Sequence, residues 1–287
     1  MKIALITPAR PVARSGNRNT ALRWARMLRE LGHRVRVQMS WDGEPAQLMI
    51  ALHARRSHDS IARFAQAYPS RPLVLALTGT DLYRDIRFDA DAQRSLRLAT
   101  RMIVLQEMGL AELAPDLRKK TRVIYQSTRP IKRVPQLKSC FEVCISGHLR
   151  EEKDSFRLAA ALRHLPAHSR VRVRHMGAAM SPEMAAAARD WMRREPRYRW
   201  VGELPYWLAR RRLARSRLMV ISSRMEGGAN VVTEALAARV PVVASRIPGN
   251  IGMIGANYTG YYPLGKDRKS TRLNSSHLKL SRMPSSA

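Results

Sequence analysis

The sequence predicts an α/β protein made of two doubly wound, Rossmann-like domains. Short apolar strands alternate with helical stretches along most of the chain, which is typical of parallel sheets covered by helices on both faces. This alternation breaks once, near Ser127, and then starts again. At 287 residues the chain is long enough for two such domains, each with its own hydrophobic core.

Residues 1–126 are predicted to form the first domain. The predicted strands cover residues 3–6, 34–39, 48–52, 73–77 and 102–105, and the predicted helices cover residues 20–31, 57–67, 91–99 and 107–113. In the first of these helices, Ala21, Trp24, Ala25 and Leu28 recur at the spacing of a packed helical face. Gly32 then follows in the position typical of a helix end.

Residues 127–138 contain two prolines and no periodicity, so we interpret them as an interdomain linker. The second domain is predicted over residues 139–265. Its predicted strands cover residues 141–146, 170–175, 198–201, 218–221 and 240–244, and its predicted helices cover residues 155–165, 182–194, 207–214 and 231–238. Two such domains form a cleft between the carboxyl ends of their sheets, where ligands of these folds usually bind.

The composition excludes several classes of protein. The net charge is +30, but the arginines are spread over predicted helix faces and form no basic platform with interleaved aromatic residues. An Arg-rich nucleic-acid-binding protein therefore remains only an alternative of another class. No apolar run approaches the ~20 residues of a membrane span, and the predicted strand at residues 3–6 leaves no room for a signal peptide.

Cys140 and Cys144 lie four residues apart at the same predicted strand, about 13 Å along it, which is too far for a disulfide. We therefore expect a reducing, cytoplasmic location and no metal site. The tail, residues 266–287, has no periodicity and resembles translated sequencing-adaptor sequence, so we predict that it is non-native and disordered. Its six basic residues and one acidic residue contribute five of the thirty net positive charges.

The most informative segment runs from residue 222 to residue 235. Two carboxylates, Glu226 and Glu234, flank a glycine pair between an apolar strand and a helix. Gly227 and Gly228 leave backbone N–H groups free to approach a ligand, and the positive end of the helix suits phosphate or sugar oxygens. Glu234 is then positioned to accept the paired hydroxyls of a nucleotide ribose. An ordinary strand–loop–helix with two solvated glutamates remains the alternative.

Three further loops are predicted to reach the same cleft. Gly16, Asn17 and Arg18 form a glycine loop at a helix start, which can bind phosphate or can be purely structural. Asp81 follows a buried strand, so it is either a helix cap or a residue that orients an acceptor or stabilises charge at an anomeric carbon. The third loop, residues 147–154, is rich in charge and follows the strand at residues 141–146.

In their order and spacing these motifs resemble the nucleotide-sugar glycosyltransferases with the GT-B fold (glycosyltransferase family 4-like). The resemblance covers nearly all of residues 1–265, and it implies a UDP-sugar-type donor in the interdomain cleft. In that family a basic residue and a lysine after the first glycine of the second domain grip the donor diphosphate. His148 after Gly147 departs from this pattern, Arg150 is available nearby, and Lys153 matches it.

The resemblance also implies the remaining donor contacts. Glu203 and Leu204 belong to a segment that lies beside the donor base, and Glu226 with the backbone of the following residues would hold the sugar; those residues are Gly227, Gly228, Ala229, Asn230 and Val231. Arg239 stands where the family has a helix-ending glycine, which predicts a strained left-handed arginine. Proteins of this fold continue into a helix that braces the first domain, so we expect the C-terminal part to be incomplete.

Residues 78–85, 123–127, 146–154 and 224–231 are more closely similar to the selenosugar synthase subgroup of selenoneine biosynthesis. This resemblance implies transfer of a hexosyl group from a UDP-sugar to selenophosphate, without a metal or other cofactor. Both substrates are anionic, which fits a basic cleft. A glycosyltransferase with a lipid-linked or polysaccharide acceptor is the alternative enzyme.

Overall fold

The computed structural model describes residues 1–11, 15–132 and 134–264, and it contains two six-stranded parallel sheets. The predicted α/β fold with two doubly wound sheets is confirmed. Gly265 and the tail predicted to be non-native lie outside the described residues. Among the described residues, no helix has the length and apolar composition needed to cross a membrane.

The N-terminal sheet has the strand order β2-β1-β3-β4-β5-β6. Its strands are β1 (Lys2–Ile6), β2 (Arg34–Gln38), β3 (Leu48–Leu52), β4 (Leu73–Ala76), β5 (Arg101–Val104) and β6 (Thr121–Val123). Its α-helices are α1 (Gly16–Glu30), α2 (His58–Ala67), α3 (Ile86–Phe88), α4 (Ala90–Leu98) and α5 (Pro115–Lys119). A π-helical turn covers Asp81–Asp85, and a 3-10 helix covers Glu107–Glu112.

The C-terminal sheet has the strand order β12-β11-β10-β7-β8-β9. Its strands are β7 (Phe141–Ser146), β8 (Val171–Met176), β9 (Tyr198–Trp200), β10 (Leu218–Ile221), β11 (Val242–Ser245) and β12 (Tyr261–Tyr262). Its α-helices are α6 (Arg157–Leu162), α7 (Pro182–Arg194), α8 (Tyr206–Arg215), α9 (Asn230–Ala237) and α10 (Pro248–Ile254), and a 3-10 turn covers Glu151–Lys153.

Each sheet is buried on both faces, as parallel strands require. In the N-terminal domain, one face packs against α2 and α4 through residues such as Phe64 and Leu96, and the other packs against α1 through Ala21 and Ala25. Because apolar residues occupy both faces, the strands appear in the sequence as continuous apolar runs. This is why strand positions were the easiest part of the fold to predict.

The predicted strands at residues 48–52, 141–146 and 218–221 and the predicted helix at residues 182–194 are confirmed residue for residue. The predicted helix at residues 155–165 is wrong at both ends, since only Arg157–Leu162 is α-helical. Asp154 has a left-handed backbone (φ +44°), which interrupts helical geometry before it starts. The left-handed conformation predicted for Arg239 is confirmed, with φ +55°.

The two domains contact each other closely. Helix α10 packs on the 3-10 helix Glu107–Glu112, and Gly252 lies so near Gln106 that a Cβ there would be 1.8 Å from its Oε1 atom. Arg23 of α1 donates from Nη1 to Oδ1 of Asn230 at 2.8 Å. These contacts bring the carboxyl ends of the two sheets together around one cavity.

Candidate active site

A cavity of about 620 Å³ lies between the two domains. The loops that follow β1, β3, β4 and β5 form its N-terminal wall, and the loops that follow β7, β8, β9 and β10 form its C-terminal wall. The position agrees with the general rule that parallel sheets bind ligands beyond the carboxyl ends of their strands. The volume is ordinary for a small-molecule site.

Most of the residues predicted from the sequence line this cavity. They are Gly16, Asn17, Gly147, His148, Arg150, Lys153, Glu203, Leu204, Glu226, Gly227, Gly228, Ala229, Asn230, Val231 and Glu234. They come from four segments that are distant in the sequence, so the fold brings them together as the motif spacing indicated. Arg18 and Asp81 are not among the lining residues.

Asp81 has a positioning role, which corrects the prediction that it meets the acceptor. Its carboxylate is fully buried and accepts hydrogen bonds from the backbone N–H and the hydroxyl of Thr78 and from the backbone N–H of Ala54. Both oxygens are therefore used inside the N-terminal domain. Asp81 ties the loop after β4 to the loop after β3, and both of these loops line the cavity.

Arg18 lies inside helix α1, and the loop predicted around it is wrong in its extent. Ser15 has an extended backbone and its side chain accepts from the backbone N–H of Arg18 at 3.4 Å, so the helix starts at Gly16 rather than Thr20. The helix start thus presents Gly16 and Asn17 to the cavity, while the side chain of Arg18 does not line it.

The glycine pair faces the other domain, which revises the reason for its presence. A Cβ on Gly227 would lie 1.7 Å from the carbonyl oxygen of Thr78, and a Cβ on Gly228 would lie 2.4 Å from the Cβ of Leu105. Real atoms do not approach so closely, so both positions require glycine for steric reasons. The glycine turn is therefore a contact between the domains as well as part of the cavity wall.

Glu226 is held by two neighbours on the C-terminal wall. Its Oε1 atom forms an ion pair with Nζ of Lys153 and accepts a hydrogen bond from the hydroxyl of Ser223. Glu226 is buried and Lys153 is largely buried. The lysine and the carboxylate predicted to touch different parts of a ligand thus contact each other directly.

Glu234 lies on α9 and is 7% exposed. The hydroxyl of Tyr206 donates to its Oε1 atom at 2.9 Å, and among the described residues no group donates to Oε2. Burial raises the pKa of Glu234, whereas the hydrogen bond from Tyr206 and the charges of Arg210 and Arg23 lower it. A buried carboxylate with one uncommitted oxygen beside a cavity is suited to accept ligand hydroxyls.

The loop after β7 is fixed by β8. Nε2 of His175 donates to the carbonyl oxygen of Gly147 at 3.2 Å, and the hydroxyl of Tyr198 bonds to Nδ1 at 2.9 Å. Burial lowers the pKa of His175 to about 4, so the ring is neutral at pH 7. Nδ1 of His148 accepts from the backbone N–H of Ala178 at 3.1 Å, so the unusual histidine anchors this loop while it lines the cavity.

Several lining residues were not found from the sequence. On the N-terminal wall they are Arg10, His53, Arg56 and Thr80, and on the C-terminal wall the most important is Tyr206. A histidine and two arginines directly follow the strand at residues 48–52, so the same strand-end rule that found Asp81 could have found His53 and Arg56. Tyr206 carried no comparable signal, because its importance depends on its contact with Glu234.

Comparisons with known proteins agree with this fold. Residues 129–270 match the family model described as "Glycosyl transferases group 1". Among solved structures, Anabaena HepE in complex with UDP-glucose has a TM-score of 0.72 at 17% identity, over 92% of this chain and 86% of that one. Sucrose-phosphate synthase from Thermosynechococcus elongatus has a TM-score of 0.68 at 16% identity, over 87% of this chain and 82% of that one.

A glycosyltransferase from Rickettsia africae has a TM-score of 0.69 at 13% identity, over 92% of this chain and 84% of that one. No curated protein matches the chain in sequence. At these identities the solved structures show the shared fold, and the family match adds the activity. Residues 129–270 are similar to group 1 glycosyltransferases, and the chain is a glycosyltransferase with the GT-B fold.

Proposed function

We propose that this glycosyltransferase transfers a hexosyl group from a UDP-sugar to selenophosphate. The observation that carries the donor half of this proposal is the arrangement of the C-terminal wall. A buried carboxylate with an uncommitted oxygen (Glu234), a glycine turn, and two cations at the loop after β7 line one continuous cavity. The carboxylate suits a ribose and the two cations suit a diphosphate. The glycine turn lies between them in the sequence.

Each of these residues then has a defined contact with the donor. Glu234 accepts the ribose hydroxyls, Arg150 and Lys153 bind the diphosphate, and Glu226 with the glycine turn binds the hexose. The ion pair between Lys153 and Glu226 keeps both side chains oriented before the donor arrives. The UDP-bound and UDP-glucose-bound states of Anabaena HepE support a uridine nucleotide as the donor carrier.

The proposed reaction forms one bond and breaks one bond. A lone pair on selenium attacks the anomeric carbon, a C–Se bond forms, and the C–O bond to the β-phosphate breaks with its electron pair remaining on UDP. Cations at the diphosphate lower the barrier because negative charge accumulates there as the bond breaks. Selenophosphate is already an anionic nucleophile, so the reaction needs no protein general base.

The support for selenophosphate is the similarity of residues 78–85, 123–127, 146–154 and 224–231 to selenosugar synthases. In the structure, parts of all four segments line the cavity or hold the loops that form its walls. Asp81 and Thr78 hold the loop after β4, Gln126 lines the cavity, and the last two segments form the C-terminal wall.

The test is an incubation of the protein with selenophosphate and a panel of UDP-sugars, followed by mass spectrometry. We expect a selenium-containing hexose, with one UDP released for each hexose transferred, and much slower formation of this product by the Glu234→Ala variant at a donor concentration below the wild-type KM. Release of UDP without any selenium-containing product, from every UDP-sugar in the panel, would contradict selenophosphate as the acceptor and leave the donor assignment intact.

A further inference from the structure

The N-terminal wall of the cavity has a charge pattern that the donor does not explain. Among the described residues, those that line this wall include two arginines, Arg10 and Arg56, and no aspartate or glutamate. All the lining carboxylates lie on the C-terminal wall; they are Glu152, Glu203, Glu226 and Glu234. A ligand bound against the N-terminal wall therefore meets positive charge without a compensating carboxylate.

Arg56 differs from its neighbour Arg55 in a way that indicates a ligand. Arg55 donates from Nε to Asp85 at 2.9 Å, so its charge is used within the domain. Arg56 lines the cavity, and among the described residues no carboxylate lies within ion-pairing distance of its guanidinium group. Arg10 also lines the cavity without an ion pair to any described residue. Two adjacent arginines thus have different roles, one structural and one facing the cavity.

A polar chain next to Arg56 supplies another donor. His53 is buried and has a left-handed backbone (φ +75°), which is costly for histidine and is retained here by its contacts. Nδ1 of His53 accepts from the backbone N–H of Arg56 at 3.4 Å, so Nε2 carries the proton and donates to Oγ1 of Thr80 at 3.1 Å. Because Thr80 accepts this bond, its own hydroxyl proton is directed elsewhere, and Thr80 lines the cavity.

Arg10, Arg56 and Thr80 can therefore each donate a hydrogen bond to a ligand. The guanidinium groups of Arg10 and Arg56 have no acceptor atoms, and the hydroxyl of Thr80, which accepts from His53, keeps its own proton to donate. The described lining residues of this wall include no carboxylate to accept from a sugar hydroxyl, and their side-chain acceptors are neutral amide and hydroxyl oxygens such as those of Asn17 and Asn19. A tetrahedral oxyanion has only acceptor oxygens, and arginine pairs with it through two parallel hydrogen bonds.

We infer that Arg10, Arg56 and Thr80 form the binding site for the oxyanion of the acceptor, a phosphate-type group. This inference rests on the proposed function, since it assigns the end of selenophosphate that does not react. With its oxygens held at the N-terminal wall, the selenium atom is directed across the cavity toward the anomeric carbon at the C-terminal wall. Arg56 then acts as a binding residue for the acceptor and contributes nothing to donor affinity.

The experiment is titration calorimetry with inorganic phosphate as the probe, in the presence of saturating UDP. We expect wild-type protein to bind phosphate, Arg56→Ala to weaken that binding by at least about tenfold, and Arg56→Lys to weaken it less. Affinity for UDP should change by less than about twofold in both variants. Arg55→Ala is the matched control, and we expect its phosphate affinity to stay within about twofold of wild type.

The outcomes separate this inference from the proposed function. If wild-type protein binds UDP but no phosphate, or if Arg56→Ala binds phosphate as tightly as wild type, the oxyanion site is wrong while the donor assignment stands. If wild-type protein fails to bind UDP, the proposed function itself is wrong. A thermal melt of each variant checks folding, and a variant that unfolds early is replaced by Arg10→Ala, for which the same loss of phosphate affinity is expected.

Discussion

The two walls of the cleft hold their charges in opposite ways. On the C-terminal wall, carboxylates and donors are paired with each other before any ligand arrives, as in Lys153 with Glu226 and Tyr206 with Glu234. On the N-terminal wall, Arg10 and Arg56 line the cavity with no ion pair to any described residue. The C-terminal wall therefore offers carboxylates together with cations, as a sugar nucleotide requires, whereas the described lining residues of the N-terminal wall offer cations without a carboxylate.

Under the proposed function, this difference divides recognition of the two substrates between the domains. A transfer reaction then depends on how closely the domains approach each other, because neither wall holds both reactants. The glycine turn sets that approach, since Gly227 contacts the carbonyl oxygen of Thr78 directly. The predictions below test the division of roles, beginning with the contact on which both walls depend.

The largest effect is expected for Gly227→Ala. The added Cβ would lie 1.7 Å from the carbonyl oxygen of Thr78, so the two walls must move apart. A displacement of about 1 Å costs on the order of a hundredfold in transfer rate, while the C-terminal wall keeps its donor contacts. We therefore expect kcat to fall by roughly a hundredfold and UDP affinity to change much less.

The control for that variant is Gly16→Ala, compared by thermal unfolding. A Cβ at Gly16 would have its nearest neighbour at 3.8 Å, which is ordinary contact. Its melting temperature should stay near that of wild type, while Gly227→Ala should melt earlier. Equal melting temperatures and an unchanged kcat for Gly227→Ala would show that the contact between the glycine turn and Thr78 does not set the distance between the walls.

The next largest effect is expected for Glu234→Ala. Loss of a charged acceptor for ribose hydroxyls costs about 2 kcal/mol, or roughly thirtyfold in UDP affinity. Calorimetry with UDP measures this change, and Glu30→Ala, an exposed glutamate paired with Arg26 on α1, is the matched control. An unchanged UDP affinity in a folded Glu234→Ala variant would remove Glu234 from the donor site.

Arg150→Ala and Lys153→Ala should each lower kcat/KM by about tenfold, because both cations face the charge that develops on the leaving diphosphate. Arg94→Ala is the control, since Arg94 is exposed and, among the described residues, forms an ion pair only with Asp91 in its own helix. Arg210 would be a poor control, because it packs over the ring of Tyr206 and its charge acts on Glu234. Losses of equal size at Arg94 and at the two site cations would mean that the overall positive field, and not these residues, assists the reaction.

The smallest effect concerns stability and pH. The pKa of buried His175 is about 4 in the folded chain, below the unfolded value of about 6.5. The unfolded chain therefore binds a proton first, and stability falls as the pH drops from about 6.5 toward 4. Protonation of this residue in the unfolded chain should lower the free energy of unfolding by about 2 kcal/mol at pH 5 relative to pH 7.5.

Urea unfolding at pH 7.5 and at pH 5 measures that loss. In His175→Gln the pH-dependent loss should be smaller than in wild type by about the same amount, although the variant is less stable at both pH values because Gly147 and Tyr198 lose a partner. An identical pH dependence in the two proteins would show that His175 is not buried in its neutral form.

The sequence was sufficient to predict the fold and the C-terminal wall, because both depend on local patterns. Apolar runs locate parallel strands, and the segment around Glu226 and Glu234 has its spacing in one continuous stretch. The role of Asp81 could not be predicted, because whether a carboxylate caps a loop or faces a ligand depends on which N–H groups surround it. The pairing of Glu234 with Tyr206 also depends on tertiary packing.

The glycine pair illustrates the same limit in another way. The motif correctly indicated a close backbone approach at Gly227 and Gly228, but the approaching atoms belong to Thr78 and Leu105 of the other domain. Sequence spacing indicates that a position must be small and does not identify its neighbour. The contact between Arg23 and Asn230, 207 residues apart, is likewise a product of the tertiary fold.

The division of roles between the walls is tested most directly by the rate of UDP release from the UDP-sugar, measured with and without selenophosphate in three proteins. Wild type should release UDP slowly to water and much faster with selenophosphate. At a donor concentration well below the wild-type KM, Glu234→Ala should lower both rates by a similar factor of roughly thirtyfold. Arg56→Ala should keep the slow release and lose most of the acceleration. If both variants lose both rates in equal proportion, the two walls do not divide donor and acceptor between them.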